Sequence, residues 1–308
     1  MIIDTHAHLM PRSWQPHGRM PEDLFDVEGV LQRMDEGKVT TCIISDPHIW
    51  YGDLDTGDIA QARSQNDFLA ELQRDHPGAL VGLGSVTPWR GEEHLAEARR
   101  AVEELGLAGF AVATSDRGQY LDHIPSAFWA LVTELSVPLF IHPGGQTVGQ
   151  ELMGSYRLGE VCGRPLDMTV TLARFILTGV YERFPAVRLL CAHAGGAITM
   201  VADRLDFGHE LRSYAPLGPW GEVELEQPPS WHVRRLYLDT VTFGPNPLRL
   251  ALDTVGHEQV CFGTDGPPVP FDVERHVGVV DALGLADDER EAVMSGNARR
   301  LFALGAGT

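Results

Sequence analysis

The chain has 308 residues, a length that suits one α/β domain with insertions better than a small single core. Asp and Glu total 43 against 24 Lys and Arg, and the resulting formal net charge of −19 argues against nucleic acid or an anionic membrane as a partner. The sequence contains no run of about 18 apolar residues and no basic segment before the first strand, so we expect a cytoplasmic protein without a membrane span.

Short apolar runs alternate with helical periods along the chain, which is typical of a parallel βα array. Strands are predicted at residues 2–6, 39–45, 79–86, 108–114, 138–142, 187–193, 236–240 and 259–265. Helices are predicted at residues 26–37, 59–74, 92–105, 125–135, 166–183, 198–207, 247–255, 273–283 and 287–304. The segment 143–164 has no clean period and predicts an extended loop after strand five, which we interpret as a lid or binding loop. This order indicates an α/β fold, a (β/α)8 TIM barrel forming one domain over residues 1–308 with an extra C-terminal helix.

Side chains that bind metals stand at or just beyond the ends of four of these apolar runs. They are His6, His8, His142, His193 and Asp265. The carboxyl ends of the strands carry the chemistry in parallel barrels, and His6 and His8 point to the same side of an extended strand. A lone histidine at a strand end is more often capped or solvated than a ligand, but the joint pattern predicts a site for a divalent transition ion.

Lysine and cysteine restrict the kind of site. Lys38 is the only lysine and precedes strand two, whereas a Schiff base, or a carbamylated lysine that bridges two metals, would need a lysine at a strand end. We therefore expect a site for one metal ion. The cysteines at 42, 162, 191 and 261 lack metal-finger spacing, and three fall within predicted strands, so we expect free, mostly buried thiols and no disulfides.

Six segments carry a recognisable pattern when they are taken together. They are DTHAHLMP at 4–11, FIHPGG at 140–145, GVYERFPAVRLLCAHAGGA at 179–197, LYLDT at 236–240, FGTDGP at 262–267 and GNARRLF at 296–302. Over nearly its whole length the chain resembles the amidohydrolase superfamily, in the branch typified by 2-amino-3-carboxymuconate 6-semialdehyde decarboxylase. The resemblance implies a metal-dependent decarboxylase that does not use oxygen.

Matched position by position, the resemblance also implies roles for individual residues. One divalent ion, completed by a water molecule, would be held by His6, His8, His142 and Asp265. His193 and Asp265 would be the catalytic residues, with His193 acting on the metal-bound water as acid or base. Arg204, 11 residues after His193, matches an arginine that reaches the substrate of a neighbouring subunit, which implies a homodimer or larger homo-oligomer. Three imidazoles and one carboxylate favour Zn2+, while Mn2+, Fe2+ and Co2+ suit the same ligand types, and no organic cofactor is implied.

The chain departs from this branch in segments that face the substrate. The segment 11–24 is shorter than its counterpart, and Arg19 is the nearest candidate for a carboxylate-binding arginine there. In the loop after strand five, Arg157 and Glu160 replace tryptophans of the decarboxylase, and Arg157 and Arg164 are candidates for binding a second carboxylate or a phenolate through their planar forks. Instead of binding substrate, Arg157 and Arg164 could form salt bridges within the loop. Arg204 could likewise be a solvated surface residue. We expect a small-molecule carboxylate substrate different from that of the decarboxylase.

Three functions agree with these observations. The first is a metal-dependent decarboxylase of a small unsaturated or aromatic carboxylic acid. The second is a hydrolase or hydratase that uses the same centre on a lactone, amide or enoate, because fold and ligands do not by themselves decide the reaction. The third is a barrel that binds a metal or ligand without catalysis.

Overall fold

The structure, a computed structural model, describes residues 1–12, 21–46, 59–144, 146–214, 224–269 and 272–305. Within these ranges the strands are β1 (Ile2–His8), β2 (Val39–Ser45), β3 (Leu80–Gly82), β4 (Gly84–Ser85), β5 (Phe110–Ala113), β6 (Ser115–Asp116), β7 (Gln119–Tyr120), β8 (Leu139–His142), β9 (Leu189–Cys191), β10 (Tyr237–Asp239) and β11 (Val260–Cys261). The α-helices there are α1 (Val27–Gly37), α2 (Ile59–Asp75), α3 (Glu92–Glu103), α4 (Ser126–Leu135), α5 (Arg164–Leu177), α6 (Val180–Arg183), α7 (Ile198–Glu210), α8 (Pro229–Val233), α9 (Pro245–Val255), α10 (Val273–Asp281), α11 (Asp287–Glu291) and α12 (Asn297–Leu301).

The fold is α/β with parallel sheets. One sheet has the order β1-β2-β3 and another the order β11-β10-β9-β8-β5-β4, and every pairing within them is parallel. At residue 83, between β3 and β4, the backbone N–H of Leu83 donates to Ile44 at 2.9 Å. The two sheets also meet between β1 and the segment after β11, where Thr5 donates to Phe262 at 2.9 Å and Ala7 forms a parallel bridge with Gly266. The carboxyl ends of the parallel strands therefore lie at one common edge.

The core has two main layers because the strands are covered on both faces, as parallel sheets usually are. Alternate strand residues form an inner cluster, which includes Ile3, Ile43, Leu83, Ala111, Phe140, Leu190 and Cys261. The other strand face packs against the helices in a larger cluster that includes Leu139, Leu172, Phe175, Leu189 and Leu238. All four cysteines are free, and three of them are buried. Across the described ranges, the helices lack the combined length and apolarity that crossing a bilayer requires.

Several elements end earlier than the sequence predicts. β9 ends at Cys191 and β11 at Cys261, so His193 and Asp265 lie on turns instead of strands. The predicted helix 166–183 begins at Arg164 and is broken by Gly179, which has a φ of 73° and separates α5 from α6. Local periodicity does not detect such a break because the apolar spacing continues through it.

The segment after strand five carries short helical turns. It contains a 3-10 turn at Gln150–Leu152 and a π-helical turn at Gly159–Gly163, which leads directly into α5. The antiparallel hairpin of β6 and β7, which the sequence did not predict, follows β5.

Candidate metal centre

His6 and His8 lie on β1 and face the same side of the strand. Side chains alternate across a strand, so residues two apart share a face. The two residues are 0% and 1% exposed. Their ring centroids lie 5.0 Å apart, and the ring planes are inclined at 84° to each other. One strand therefore brings two imidazoles to the same buried point.

His142 and Asp265 complete a group of four. His142 is the last residue of β8, and Asp265 lies on the turn after β11 with a φ of 62°. The Nε2 atoms of His6, His8 and His142 lie 3.0, 3.2 and 3.9 Å from Asp265 Oδ1. The candidate ligand atoms of the four residues all lie within 4.8 Å of one another. We call these four residues the metal cluster.

The outer nitrogens of the three imidazoles are held in place by hydrogen bonds. The partners are Asp239 Oδ2 for His6 Nδ1 at 2.6 Å, Ser45 Oγ for His8 Nδ1 at 3.0 Å and the Pro143 carbonyl for His142 Nδ1 at 2.9 Å. A carbonyl or carboxylate oxygen only accepts, so the Nδ1 atoms of His6 and His142 carry protons and their Nε2 atoms face the cluster. Metal-binding histidines are held in this way. Three such nitrogens and one carboxylate oxygen fit a divalent cation.

The metal cluster keeps its carboxylate ionised and two of its imidazoles neutral at pH 7. Burial raises the pKa of Asp265, but the charge of His6 and hydrogen bonds from the imidazoles outweigh burial and hold that pKa well below its usual range. Burial lowers the pKa of His8 to about 4 and holds the pKa of His142 well below its ordinary value. Burial also acts to lower the pKa of His6, yet Asp265 and Asp239 overcome it and raise that pKa to about 10. An ionised carboxylate and neutral imidazoles are the forms that bind a cation, so a cation bound here would have to displace the Nε2 proton of His6.

His193 stands beside the metal cluster on the turn that follows β9. Its ring centroid lies 5.4 Å from those of His6 and His142. Its Nε2 atom is buried and has no hydrogen-bond partner among the residues that the structure describes. Burial is the main reason that the pKa of His193 falls to about 4, so the ring is neutral at pH 7. This position suits proton transfer to or from a molecule bound at the cluster.

The turn at His193 has an unusual backbone. His193, Ala194, Gly195 and Gly196 have φ values of 54°, 53°, 70° and 69°. For the two residues with side chains, the left-handed region costs roughly 1–2 kcal/mol each. A Cβ atom at position 196 would lie 2.0 Å from the Pro165 carbonyl oxygen, so Gly196 allows the turn to pack directly against the first turn of α5.

Arg164 lies beside this turn. It is the half-buried first residue of α5, and the next residue, Pro165, makes the close contact with Gly196. Its positive charge adds to burial in lowering the pKa of His193. An anion bound near His193 would therefore meet a guanidinium.

The other predicted arginines lie in different surroundings. Arg157 is 78% exposed, and its Nε donates to Glu160 Oε2 at 2.8 Å, so the pair forms a salt bridge within the loop. Arg204 is exposed on α7. Arg19 lies outside the described residues.

A buried carboxylate ties the loop after strand five to the neighbouring strand end. Asp167 is fully buried and accepts hydrogen bonds from Thr114 Oγ1, from the Tyr120 hydroxyl at 3.1 Å and from the Val148 backbone at 3.1 Å. Thr114 Oγ1 accepts in turn from the backbone N–H of Gly144 at 3.3 Å. The network joins the start of the loop to the first turn of α5.

Sequence reasoning missed two buried aspartates that support the metal cluster. Asp239 ends β10 and accepts from His6 Nδ1. Asp4 accepts from the hydroxyl of Thr264 at 2.5 Å and from its backbone N–H at 3.1 Å, which fixes the residue before Asp265. Burial raises the pKa of Asp4 to about 7. The available signal was an acidic residue inside an apolar run, MIIDT or LYLDT, because a buried carboxylate requires partners.

Several characterised proteins are similar to this chain in sequence. A 2-amino-3-carboxymuconate-6-semialdehyde decarboxylase from Dictyostelium discoideum is 23% identical, with 98% of this chain and 91% of the relative covered. A gamma-resorcylate decarboxylase from Rhodococcus jostii is 28% identical over 91% of this chain and 89% of the relative. A 2-keto-4-carboxy-3-hexenedioate hydratase from Sphingobium is 24% identical over 83% of this chain and 74% of the relative.

Solved structures share the fold over nearly the full length. The crystal structure of 5-carboxyvanillate decarboxylase from Sphingomonas paucimobilis superposes with a TM-score of 0.86 at 22% identity and covers 99% of both chains. The enzyme of the same name from Novosphingobium aromaticivorans, complexed with manganese and 4-hydroxy-3-methoxy-5-nitrobenzoic acid, has a TM-score of 0.85 at 19% identity over 99% of this chain and 96% of its own.

The sequence profile of the amidohydrolase family matches residues 3–304. This match includes the metal cluster, His193 and the strands that position them, and it confirms the resemblance inferred from the six segments. The chain belongs to the amidohydrolase family.

Proposed function

We propose that this protein is a metal-dependent decarboxylase of a small aromatic or unsaturated carboxylic acid. The observation that carries the proposal is the convergence of three buried imidazoles on Asp265, with His193 beside them. The similarity to decarboxylases over nearly the whole chain supports this reaction class.

We also propose that the parallel strands close into a (β/α)8 barrel and that residues 1–308 form one domain. The bonds of β1 to residues beyond β11, and of residue 83 to β2, support closure at both junctions between the sheets. In this arrangement the metal cluster lies at the carboxyl ends of the strands, where barrels carry their chemistry. The extended loop after strand five and the extra C-terminal helix are further parts of this proposal.

The metal cluster would hold one divalent cation. A cation held there would supply Lewis acidity, which stabilises negative charge on bound oxygen atoms. The ligand types suit Zn2+, our first expectation, and manganese in the similar decarboxylase supports Mn2+ as an alternative.

His193 is the residue proposed to move the proton. Its neutral Nε2 takes a proton from solvent water and passes it to the carbon atom that bears the carboxylate. The bond from that carbon to the carboxylate then breaks, its electron pair restores the π system, and CO2 leaves. The reaction therefore adds one proton and releases one CO2, and it needs no oxidant.

Among the candidate arginines that the structure describes, Arg164 is the best placed to bind an anionic group of the substrate. It is half-buried beside the turn at His193, and a guanidinium binds a carboxylate or phenolate through parallel hydrogen bonds. Arg157 would have to leave Glu160 before it could serve the same purpose.

We propose that the protein acts as a homodimer in which Arg204 reaches the partner's site. Exposed apolar side chains continue along one side of α7 and the turn after it, at Met200, Phe207, Leu211 and Tyr214. Arg204 lies between the first two along the helix. Large exposed apolar surfaces usually mark an interface. A two-fold contact along this helix would cover these side chains and bring Arg204 to the neighbouring subunit.

A hydratase is the second candidate function. The hydratase from Sphingobium matches most of this chain, and a cation with a proton-transferring histidine also suits addition of water to an enoate.

The deciding experiment combines elemental analysis with a CO2 assay. The purified protein would be stripped with a chelator and reloaded separately with Zn2+ or Mn2+. It would then be tested on hydroxybenzoates, carboxylated vanillates and muconate semialdehydes. We expect CO2 release that requires the metal and disappears in His142→Ala, whereas the exposed His123→Ala control retains it.

A loaded centre that releases no CO2 from any of these acids would contradict the decarboxylase. Incorporation of labelled water into an enoate would then favour the hydratase. A loaded protein without either turnover would favour a binding protein.

A further inference from the structure

Asp239 contacts both parts of the candidate centre. It is 0% exposed at the end of β10. Its Oδ2 atom lies 2.6 Å from His6 Nδ1 and 3.1 Å from the backbone nitrogen of His193. Its Oδ1 atom accepts from the backbone nitrogens of Ala194 at 2.8 Å and Val241 at 3.1 Å. One buried carboxylate therefore receives donors from β1, from the turn at His193 and from the segment after β10.

The contact with His6 fixes which ring nitrogen keeps its proton when a cation replaces the proton on Nε2. A carboxylate oxygen only accepts hydrogen bonds, so Nδ1 of His6 donates to Asp239. The Nε2 atom is then left to face Asp265, which is the orientation that a metal ligand requires.

The contact with the turn determines where His193 stands. The two N–H groups that Asp239 receives belong to His193 and Ala194, which are the two residues with side chains in the left-handed region. A turn with such dihedral angles persists only where the surrounding structure holds it. The direction of the His6 ring and the start of the turn depend on the same carboxylate oxygen.

We propose that Asp239 is a positioning residue that couples the metal cluster to His193. It sets the affinity for the metal through the tautomer of His6 and the orientation of His193 through the turn. The second effect rests on the proposed function, whereas the first depends only on the metal cluster.

The substitution Asp239→Asn separates positioning from simple packing because it keeps the shape of the side chain. If the amide nitrogen replaces Oδ2, it donates to His6 Nδ1 and forces the proton to Nε2, where it blocks the ligand lone pair. The opposite orientation would set the NH2 group against the N–H groups of Ala194 and Val241, which cannot accept a hydrogen bond, so the first orientation is favoured. In the favoured orientation the N–H group of His193 also loses its acceptor, so both coupled parts are disturbed.

The matched control is Glu97→Gln on α3. Glu97 is also buried, at 2% exposed, and it accepts a hydrogen bond from Asn66 Nδ2 at 2.8 Å. Its substitution removes a buried carboxylate whose hydrogen bonds and ion pairs are with Asn66, Arg63 and Arg100 instead of the metal cluster. A purely structural role for Asp239 predicts that both variants lose stability and that both keep the metal affinity of the wild type.

Metal affinity would be measured by competition with a chelator, using Zn2+ and Mn2+ separately. We expect Asp239→Asn to bind about 10–100-fold more weakly than the wild type and Glu97→Gln to bind as the wild type does. At saturating metal and substrate, the kcat of Asp239→Asn should still be reduced, because extra metal does not restore the turn. A folded Asp239→Asn protein with wild-type metal affinity would overturn the proposal, as would an equal loss in Glu97→Gln.

A measurement on the wild type keeps the proposal testable if the variant does not fold. In protein labelled with nitrogen-15 at histidine and loaded with Zn2+, NMR should find the proton of His6 on Nδ1, in slow exchange with water. A metal-loaded His6 without a proton on Nδ1 would also overturn the proposal. If the wild type binds metal in this way but releases no CO2, the proposed function fails while the effect of Asp239 on metal affinity stands.

Discussion

The buried histidines of the site differ in what their Nε2 atoms face. His8 and His142 are kept neutral by burial, and their Nε2 atoms lie 3.2 and 3.9 Å from Asp265. His193 is also neutral, but its Nε2 atom faces no hydrogen-bonding group in the described part of the chain. The first two are therefore suited to bind a cation, whereas His193 is suited to exchange a proton with a bound molecule.

Replacing His193 with Asn separates proton transfer from metal binding. We expect turnover to fall by about 10²–10⁴-fold, because a positioned acid or base contributes about that factor. The metal content should equal that of the wild type, since His193 is not a member of the metal cluster. CO2 release and elemental analysis on the same sample test both expectations, with the exposed His123→Asn as control. Unchanged turnover with the metal retained would exclude His193 from the reaction.

At the scale of elements, turns after the strands carry part of the site. β9 and β11 end before His193 and Asp265, and both residues have positive φ values. A residue in this region leaves the extended ladder, so its side chain is redirected towards the middle of the strand ends. The early ends of these strands are thus part of how the site is built.

A buried histidine connects two of the short helices. His232 on α8 has a fully buried side chain, and its Nε2 atom lies 3.0 Å from Glu182 Oε1 on α6. Burial lowers the pKa of His232 below its ordinary value and outweighs the attraction of Glu182. The folded state therefore favours the neutral ring.

The lowered pKa of His232 predicts that the protein loses stability in acid. Its pKa is lower in the folded state than in the unfolded chain, so its contribution is complete above a pH of about 6.5 and is lost as the pH falls towards the folded pKa. We expect the free energy of unfolding, measured in urea between about pH 7.5 and pH 5, to fall less in His232→Gln than in the wild type. The control His123→Gln should follow the wild type. Parallel pH profiles for His232→Gln and the wild type would contradict this assignment.

The proposed dimer of the whole molecule depends on the exposed apolar side of α7. Phe207 and Tyr214 are 60% and 88% exposed on this side, near Arg204. We expect Phe207→Glu to shift the protein from dimer to monomer in sedimentation or light scattering, because it places a charge in the proposed contact. Leu250→Glu, at a residue 41% exposed on α9, is the control and should leave the mass unchanged. A wild type that is monomeric at all concentrations would contradict the dimer.

Mixing two inactive variants tests whether Arg204 acts across that interface. In a hybrid of Arg204→Ala with His193→Asn, one site has an intact His193 and receives Arg204 from the other subunit. An equal mixture allowed to exchange subunits should recover roughly a quarter of wild-type turnover, since half of the dimers are hybrids with one complete site each. No recovery in verified hybrids would place Arg204 outside the partner's site.

The sequence predicted the parallel βα order and the convergence of four ligand-type side chains for a physical reason. Hydrophobic period and turn residues are local properties, and ligand-type residues stood at the ends of apolar runs such as PLFIH. Because parallel strands share one edge for their carboxyl ends, this local information was sufficient to place His6 and Asp265 together. The boundaries of helices and strands were predicted less accurately. Gly179 breaks the predicted helix 166–183, and β11 ends earlier than predicted.

The pattern of the chain indicated that ligand-type side chains would meet at one edge of the sheet, because their spacing relative to the strands is a local property. Three contacts became visible only in three dimensions: Asp239 holds both His6 and the turn at His193, Arg157 pairs with Glu160, and Arg164 lies beside the turn. His6 and Asp239 are 233 positions apart, and a hydrogen bond over that distance leaves no periodic signal in the chain. Such contacts exist only after the strands have assembled, because the sheet order brings the two residues together.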